Sequence, residues 1–330
     1  MVETLLLSKK DIEELLNMEE VIEAVEKTYK DFGEGKVINP AKLGLDLGES
    51  GKWPNYNAFM NAMPAYVGWL DTAGLKWAGG FWDNVKRGLP SISAMILLID
   101  PKTGVFKAVM EGAYITALRT GAQTAVGAKY LARKDSKIVG IYGAGTQGRF
   151  QALALSNVMK IDQLKIYDVC KEAVKKYVED MSDKISAEIV AAKSPEEAAD
   201  ADIIVTVTTS KTPFLRSEWI KEGTLIAALG SYQELYDDTI KKADKIVVDH
   251  VQQCLHRGAL KALVEKGELN ENHIYATIGE IVAGKKVGRV SDNEIILYIP
   301  IGTGALDVTV ATIAYEKAQK KGMGQKFEFV

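Results

Sequence analysis

The stretch Lys137-Ile138-Val139-Gly140-Ile141-Tyr142-Gly143-Ala144-Gly145-Thr146-Gln147-Gly148 carries the clearest chemistry in this 330-residue chain. A short apolar run stops at a G-x-G-x-x-G turn, and helix-forming residues follow from Arg149 to Met159. A second apolar run, Leu164-Lys165-Ile166-Tyr167, then ends on Asp168. In such a turn Gly143 permits the tight reversal, Gly145 lets the backbone approach a pyrophosphate, and Gly148 lets helix and strand pack closely. The N–H groups at the helix start then face the phosphates. Strand, glycine turn, helix, strand and acid in this register imply a bound nicotinamide or flavin dinucleotide.

Other reactive residue types are sparse. Cys170 and Cys254 stand far apart and outside any C-x-x-C spacing, which fits a reduced, cytoplasmic setting. His250 and His256 are too far apart to share a helix face, and His273 is the only other histidine, so no metal site is expected. The net charge is −3, with Lys and Arg dispersed among acids, which argues against a nucleic-acid surface. Leu5, Leu6 and Leu7 run straight into charged residues, too short a core for a signal peptide. No apolar stretch approaches the roughly 20 residues that a bilayer needs.

The elements that must position this chemistry fall into two patterns. Ser8-Lys9-Lys10-Asp11 reads as a capping box, followed by one helix with apolar residues from Ile12 to Phe32, ended by Gly33. From Ala41 to Gly112, short β-prone runs (42–47, 57–63, 75–81, 94–99, 105–110) alternate with glycines and prolines. Asp100-Pro101-Lys102-Thr103-Gly104 is a hairpin turn, so this region reads as an antiparallel meander. A long helix rich in Ala and Gly spans 112–133. Beyond Lys137, apolar runs at 138–142, 164–167, 188–191, 203–207, 225–229 and 246–248 alternate with helical or turn segments. Glu294–Ile299 reads as the last strand. Ala305–Lys321 reads as an amphipathic helix, with Leu306, Val310, Ile313 and Ala314 on its apolar face. The expected fold class is α/β: a Rossmann doubly wound parallel sheet plus an α+β antiparallel-meander domain for substrate binding and dimerisation. The boundaries follow as 1–118 with 304–330 for the meander domain and 119–303 for the Rossmann domain.

The sequence resembles the ornithine cyclodeaminase and mu-crystallin family, which also contains archaeal-type alanine dehydrogenases and cyclic imine reductases. Gly74-Leu75-Lys76-Trp77-Ala78-Gly79-Gly80, Ala117-Leu118-Arg119-Thr120-Gly121-Ala122, Gln233-Glu234-Leu235 and Gly302-Thr303-Gly304-Ala305-Leu306-Asp307 carry the resemblance, in order around the glycine turn. It implies a homodimer paired through the meander and a Rossmann domain whose cofactor faces that meander. It also implies that Lys76 and Arg119 are catalytic residues meeting the substrate carboxylate, with Lys42, Thr303 and Gly304 completing the substrate site. A guanidinium holds a carboxylate bidentately, and a nearby ammonium can exchange a proton with nitrogen. The implied cofactor set is Gly143, Ala144, Gly145, Thr146, Gln147, Gly148, Asp168, Thr208, Thr209, Gly230 and Ser231. Asp168 would accept ribose hydroxyls and repel a 2′-phosphate, which favours NAD over NADP.

Three departures bear on the substrate. Lys42 stands where the family commonly has an arginine, so the charge survives without the fork. Ornithine cyclodeaminases carry a Glu before the Met-Pro, and Ala62 is taken as the matching position here. They also have an Asp in the loop that is here Gly230-Ser231-Tyr232-Gln233-Glu234, which leaves Glu234 as the only acid that could reach in. Without those acids a second substrate ammonium would be buried unpaired. The expected activity is therefore an NAD-dependent oxidation or reduction at the Cα–N bond of a small amino or imino acid. Ornithine cyclodeamination and crystallin-like binding without turnover are the alternatives. Most of the aromatic residues in the N-terminal half are expected in core and dimer interface, with Trp77 or Phe81 walling the substrate pocket.

Overall fold

The computed structural model describes residues 3–329; Met1, Val2 and Val330, the ends of the expected first domain, lie outside the described residues. In chain order the elements are β1 (Glu3–Leu7), α1 (Lys9–Leu15), α2 (Met18–Glu34), β2 (Val37–Ile38), β3 (Leu43–Leu47), β4 (Ala58–Val67), β5 (Thr72–Phe81), β6 (Ile92–Ile99), β7 (Phe106–Glu111) and α3 (Ala113–Leu131). Then follow β8 (Ile138–Tyr142), α4 (Thr146–Val158), β9 (Gln163–Tyr167), α5 (Lys171–Met181), β10 (Glu188–Ala191), α6 (Pro195–Ala199), β11 (Ile203–Thr206), β12 (Leu225–Ala228) and α7 (Asp237–Lys241). The remainder is β13 (Lys245–Val248), α8 (Val251–His256), α9 (Lys261–Glu265), β14 (Ala276–Thr277), α10 (Ile278–Val282), β15 (Ile296–Ile299), α11 (Gly304–Lys321) and β16 (Gln325–Glu328). The chain divides into two compact units, one running to Arg119 and resuming at Thr303, the other Thr120–Gly302.

The first unit is built on a sheet ordered β16-β1-β7-β6-β5-β4-β2, with β3 also paired to β4. Neighbours are antiparallel except β1, which runs parallel to β7. Strand β4 alternates as a half-covered strand should: Asn61, Met63, Ala65 and Val67 are buried, whereas Pro64 is exposed. Helix α11 covers that buried face. Its first half is enclosed on all sides, polar residues included, and Ile313 is only half-buried, so the expected single apolar stripe is not what the helix presents.

Other local expectations give way to stronger signals. The first helix is two: Leu16 leaves the helical conformation, and Asn17 starts α2 by accepting the Glu20 N–H at 3.0 Å. The second ends not at Gly33 but at Gly35, where φ is 75°. Leu5–Leu7 form the strand β1, and β16 follows α11, so β15 is not the final strand.

The second unit is a wholly parallel sheet, ordered β10-β9-β8-β11-β12-β15-β13-β14. The expected doubly wound Rossmann sheet is therefore present. Its central strands are buried on both faces, which explains continuous apolar runs such as Ile203–Val205 in place of alternation. The chain moves outward from β8 through β9 to β10, then crosses back to β11 on the other side. Ligands of open α/β sheets sit beyond the carboxyl ends of the strands at such a switch point. No helix among the described residues is long and apolar enough to cross a membrane.

Candidate active site

The glycine turn occupies that switch point. Gly143 takes φ 113°, a region that favours glycine, and donates its N–H to the Tyr167 carbonyl at 2.9 Å. A Cβ on Gly148 would collide with the Gly143 carbonyl oxygen, so packing of α4 on the turn requires glycine there. Gly145 differs. Its φ is −81°, open to any residue, and a Cβ there would meet nothing within 4 Å. The protein itself does not need glycine at 145, so the space above it is room for something that approaches the backbone.

The remaining parts fit that approach. No side chain caps the first turn of α4, which leaves the N–H groups of Thr146, Gln147 and Gly148 for an anion. Gln147 Oε1 is buried without a partner, an acceptor awaiting a donor. Asp168 is half-buried at the end of β9, where Oδ2 accepts the Ala144 N–H and Oδ1 the Cys170 N–H, each at 2.9 Å. Gly143, Gly145, Asp168, Thr208 and Thr209 line one cleft of about 510 Å³. Arg149, which sequence reasoning passed over, ties the turn down. It donates to the carbonyls of Ala144 at 2.5 Å and Gly145 at 3.2 Å, and Asp180 holds its far edge at 2.8 Å. An arginine directly after the third glycine was the available signal.

Gly230 and Ser231 follow β12, and neither lines the cleft. Ser231 is exposed and accepts from Arg257 at 3.2 Å. Glu234 does not reach outward: it is buried and accepts from Thr208 N–H at 2.7 Å, Thr208 Oγ1 at 2.6 Å and Gly230 N–H at 3.0 Å. Burial pushes its carboxyl above the usual range, opposed by these hydrogen bonds. Its work is to tie the loops after β11 and β12 together.

In the other unit, Lys76 and Arg119 come together on a third residue. Lys76 lies midway along β5 on the face covered by α11, opposite Met63 on β4 and Ile96 on β6. Its Nζ is 2.7 Å from Asp307 Oδ2, an ion-pair contact whose angle falls short of hydrogen-bond geometry, and 3.4 Å from Thr116 Oγ1. Arg119 Nε donates to Asp307 Oδ1 at 3.0 Å. All three charged side chains are almost wholly buried, Asp307 completely. Burial, and next the Arg119 charge, push the Lys76 ammonium down to about 8, partly offset by Asp307. Lys76 and Arg119 thus share Asp307, an arrangement that a substrate carboxylate could join. Asp307 belongs to a quoted motif, yet nothing in its spacing announced that it pairs with both cations.

Thr303 and Gly304 begin α11. Thr303 Oγ1 is buried without a partner, and Gly304 presses on the backbone of Met63, the residue opposite Lys76. Lys42, half-buried, stands one residue before the Leu43–Ala62 pair, and so flanks Met63 from the other side. Strand parity corrects two assignments. Ala62 faces away from Lys76, whereas Asn61 is on the same face as Lys76, beside Gly44 and Ala78. The residue on the same face as Lys76 at this point of the strand, Asn61, is also neutral. Trp77 and Phe81 likewise have the parity opposite to Lys76, and Trp77 is 41% exposed, so neither walls this site.

The sequence profile described as the ornithine cyclodeaminase/mu-crystallin family matches residues 2–322. The alanine dehydrogenase of Archaeoglobus fulgidus is 42% identical, over 99% of both chains. Among solved structures, the Δ(1)-pyrroline-2-carboxylate reductase of Thermococcus litoralis, in complex with NADH and L-proline, is 40% identical with a TM-score of 0.92, covering 98% of this chain and 99% of its own. An archaeal alanine dehydrogenase dimer with bound NAD is also 40% identical with a TM-score of 0.92, covering 99% of this chain and all of its own.

Proposed function

The chain belongs to the ornithine cyclodeaminase/mu-crystallin family, and from that premise we propose that it is an NAD-dependent oxidoreductase acting at the Cα–N bond of a small amino or imino acid. NAD(H), when bound, supplies the hydride acceptor or donor. The N–H groups at the start of α4 would take the pyrophosphate, with Gly145 giving it room. Asp168 would accept the adenosine ribose hydroxyls. The similarity to an alanine dehydrogenase and to a cyclic imine reductase supports this class of substrate.

The observation that carries the substrate assignment is the buried cluster in which Lys76 and Arg119 meet on Asp307. A carboxylate entering there would meet both cations, with Lys42 and the Thr303 hydroxyl as further partners. Reduction of an imine places a hydride on carbon and a proton on nitrogen. Lys76 can deliver that proton near neutral pH, because its ammonium is held at about 8. In the oxidative direction its neutral amine takes the proton back. A diamine fits poorly: Asn61 is neutral, Glu234 is engaged within its own loops, and Asp307 already serves two cations. A second ammonium would be buried unpaired, at a cost of several kcal/mol.

A homodimer through the outer face of the first unit's sheet completes the proposal. Trp77 at 41%, Met95 at 54% and Leu43 at 69% exposure leave apolar side chains there that a symmetric partner would cover. A cytoplasmic setting agrees with the cysteine usage.

The test is a panel followed by NADH absorbance: Δ(1)-pyrroline-2-carboxylate, pyruvate with ammonia, and ornithine. Net NADH consumption with the imine or the keto acid is expected. Ammonia released from ornithine without net NADH change, or no reaction at all, would overturn the assignment.

A further inference from the structure

The cluster around Lys76 contains more than a carboxylate clamp needs. Two cations alone would attract an anion. Asp307 instead occupies part of both, from the first turn of α11, with Oδ1 on Arg119 and Oδ2 on Lys76. A buried ionic cluster is a weak source of stability, and apolar side chains of similar volume often serve a fold better.

We infer that Asp307 is a positioning residue for the reaction: it fixes Lys76 and Arg119 relative to each other and keeps Lys76 an ammonium until the substrate carboxylate arrives. The inference rests on the proposed function, in which those two cations take that carboxylate. Three observations support it. Gly304 lets α11 approach so closely that a Cβ there would sit 2.5 Å from the Met63 carbonyl oxygen. The helix start is thereby set against the residue paired with Lys76, which fixes the position of Asp307. Thr116 Oγ1, which donates to the Gly112 carbonyl at 2.7 Å, restrains Lys76 Nζ from a second direction. Finally, Thr303 Oγ1, at the N-cap of the same helix, is a fully buried hydroxyl without a partner. It is a hydroxyl four residues before Asp307 that the described residues leave unsatisfied, and a ligand atom could satisfy it.

Among the described residues, the charged groups acting on Lys76 are Arg119 and Asp307, so the effect of Asp307 can be isolated. Helix α3 brings Arg119 and the Thr116 hydroxyl, and α11 brings Asp307. The paired residues on β4 and β6 are Met63 and Ile96, and Lys42 lies beyond Met63. Only Asp307 favours the ammonium; burial and Arg119 oppose it. Removing its charge therefore moves Lys76 toward the neutral amine.

Asp307→Asn in the intact protein tests this. In the imine-reducing direction, the alkaline limb of kcat/KM should move at least one pH unit downward. At pH 8 that shift alone should lower kcat/KM by about fivefold or more. NADH affinity should be unchanged. Without cofactor or substrate, wild-type melting temperature should rise as pH passes about 8, and the variant's rise should begin at least a unit lower. That readout needs no turnover, so it separates failure of this inference from failure of the proposed activity. Asp307→Glu keeps the charge but displaces it; its alkaline limb should stay while kcat falls. This second variant decides the matter if the first does not fold. An Asp307→Asn protein with an unmoved limb, an unmoved melting profile and near-normal kcat/KM would overturn the inference, as would an Asp307→Glu limb displaced like that expected of Asn.

Discussion

Replacing Gly145 by alanine should separate cofactor binding from folding. The backbone there is extended and open to any residue, and the new methyl would touch nothing in the protein. Two small terms act on stability. A stiffer unfolded chain gains about 0.4–1 kcal/mol, and alanine is a poorer N-cap than glycine by roughly 0.5–1.5 kcal/mol. The net change is therefore within about 1 kcal/mol, or a melting shift of about 2–4 °C for a unit of this size. Binding should suffer far more. A methyl in the space reserved for the pyrophosphate displaces it from the N–H groups at the start of α4, and each hydrogen bond to a charged group is worth about 1.5–3 kcal/mol. Losing one weakens NADH binding by roughly 10- to 150-fold. Gly148→Ala gives the opposite result: its Cβ meets the Gly143 backbone and should destabilise by about 1–3 kcal/mol before any ligand is added. Fluorescence titration with NADH and thermal melting measure both quantities. A Gly145→Ala protein that binds NADH within about threefold of wild type would refute the seating of a pyrophosphate at this turn, judged against the smallest loss that one hydrogen bond implies.

Asp168→Ser should lower the ratio of NADPH to NADH dissociation constants by about tenfold or more, since the acid repels a 2′-phosphate; wild-type protein that prefers NADPH would contradict this role. Lys76→Met should abolish turnover yet stabilise the cofactor-free protein at neutral pH. A folded-state value lowered from 10.5 to about 8 means the buried ammonium costs on the order of 3 kcal/mol below pH 8. Because the unfolded chain keeps its proton longer, wild-type stability rises between about pH 8 and 10.5, and the advantage of Met should shrink over the same window in thermal melts. Arg119→Lys loses the planar fork and should raise KM for the carboxylate substrate by about 10- to 100-fold, with NADH affinity unchanged.

What the sequence disclosed followed from how locally each feature is encoded. The dinucleotide turn was legible because strand, three glycines, helix and Asp168 lie within one short stretch whose spacing is set by backbone geometry. The parallel sheet was legible from its buried apolar runs. By contrast, Asp307 meets Arg119 across 188 residues of chain, and no spacing rule links a helix start to a strand lysine so distant. That Ala62 faces away from Lys76 while Asn61 faces with it was not legible, because one residue decides which face of a strand a side chain takes, and only the register with Lys76 fixes that. The break at Leu16–Asn17 was hidden by apolar residues that continue on both sides, so the capping side chain was the sole clue. Glu234 could be read as reaching in to the substrate because its donors, Thr208 and Gly230, come from two loops separated in sequence.

Hydride transfer to Cα can be followed directly. NADH carrying deuterium at the transferring C4 position is incubated with Δ(1)-pyrroline-2-carboxylate, or with pyruvate and ammonia, and the product is examined by NMR. The expected result is one deuterium at Cα of the amino or imino acid formed, with stoichiometric loss of NADH. Product formed without deuterium at Cα, or no product and no loss of NADH, would contradict reduction at the Cα–N bond.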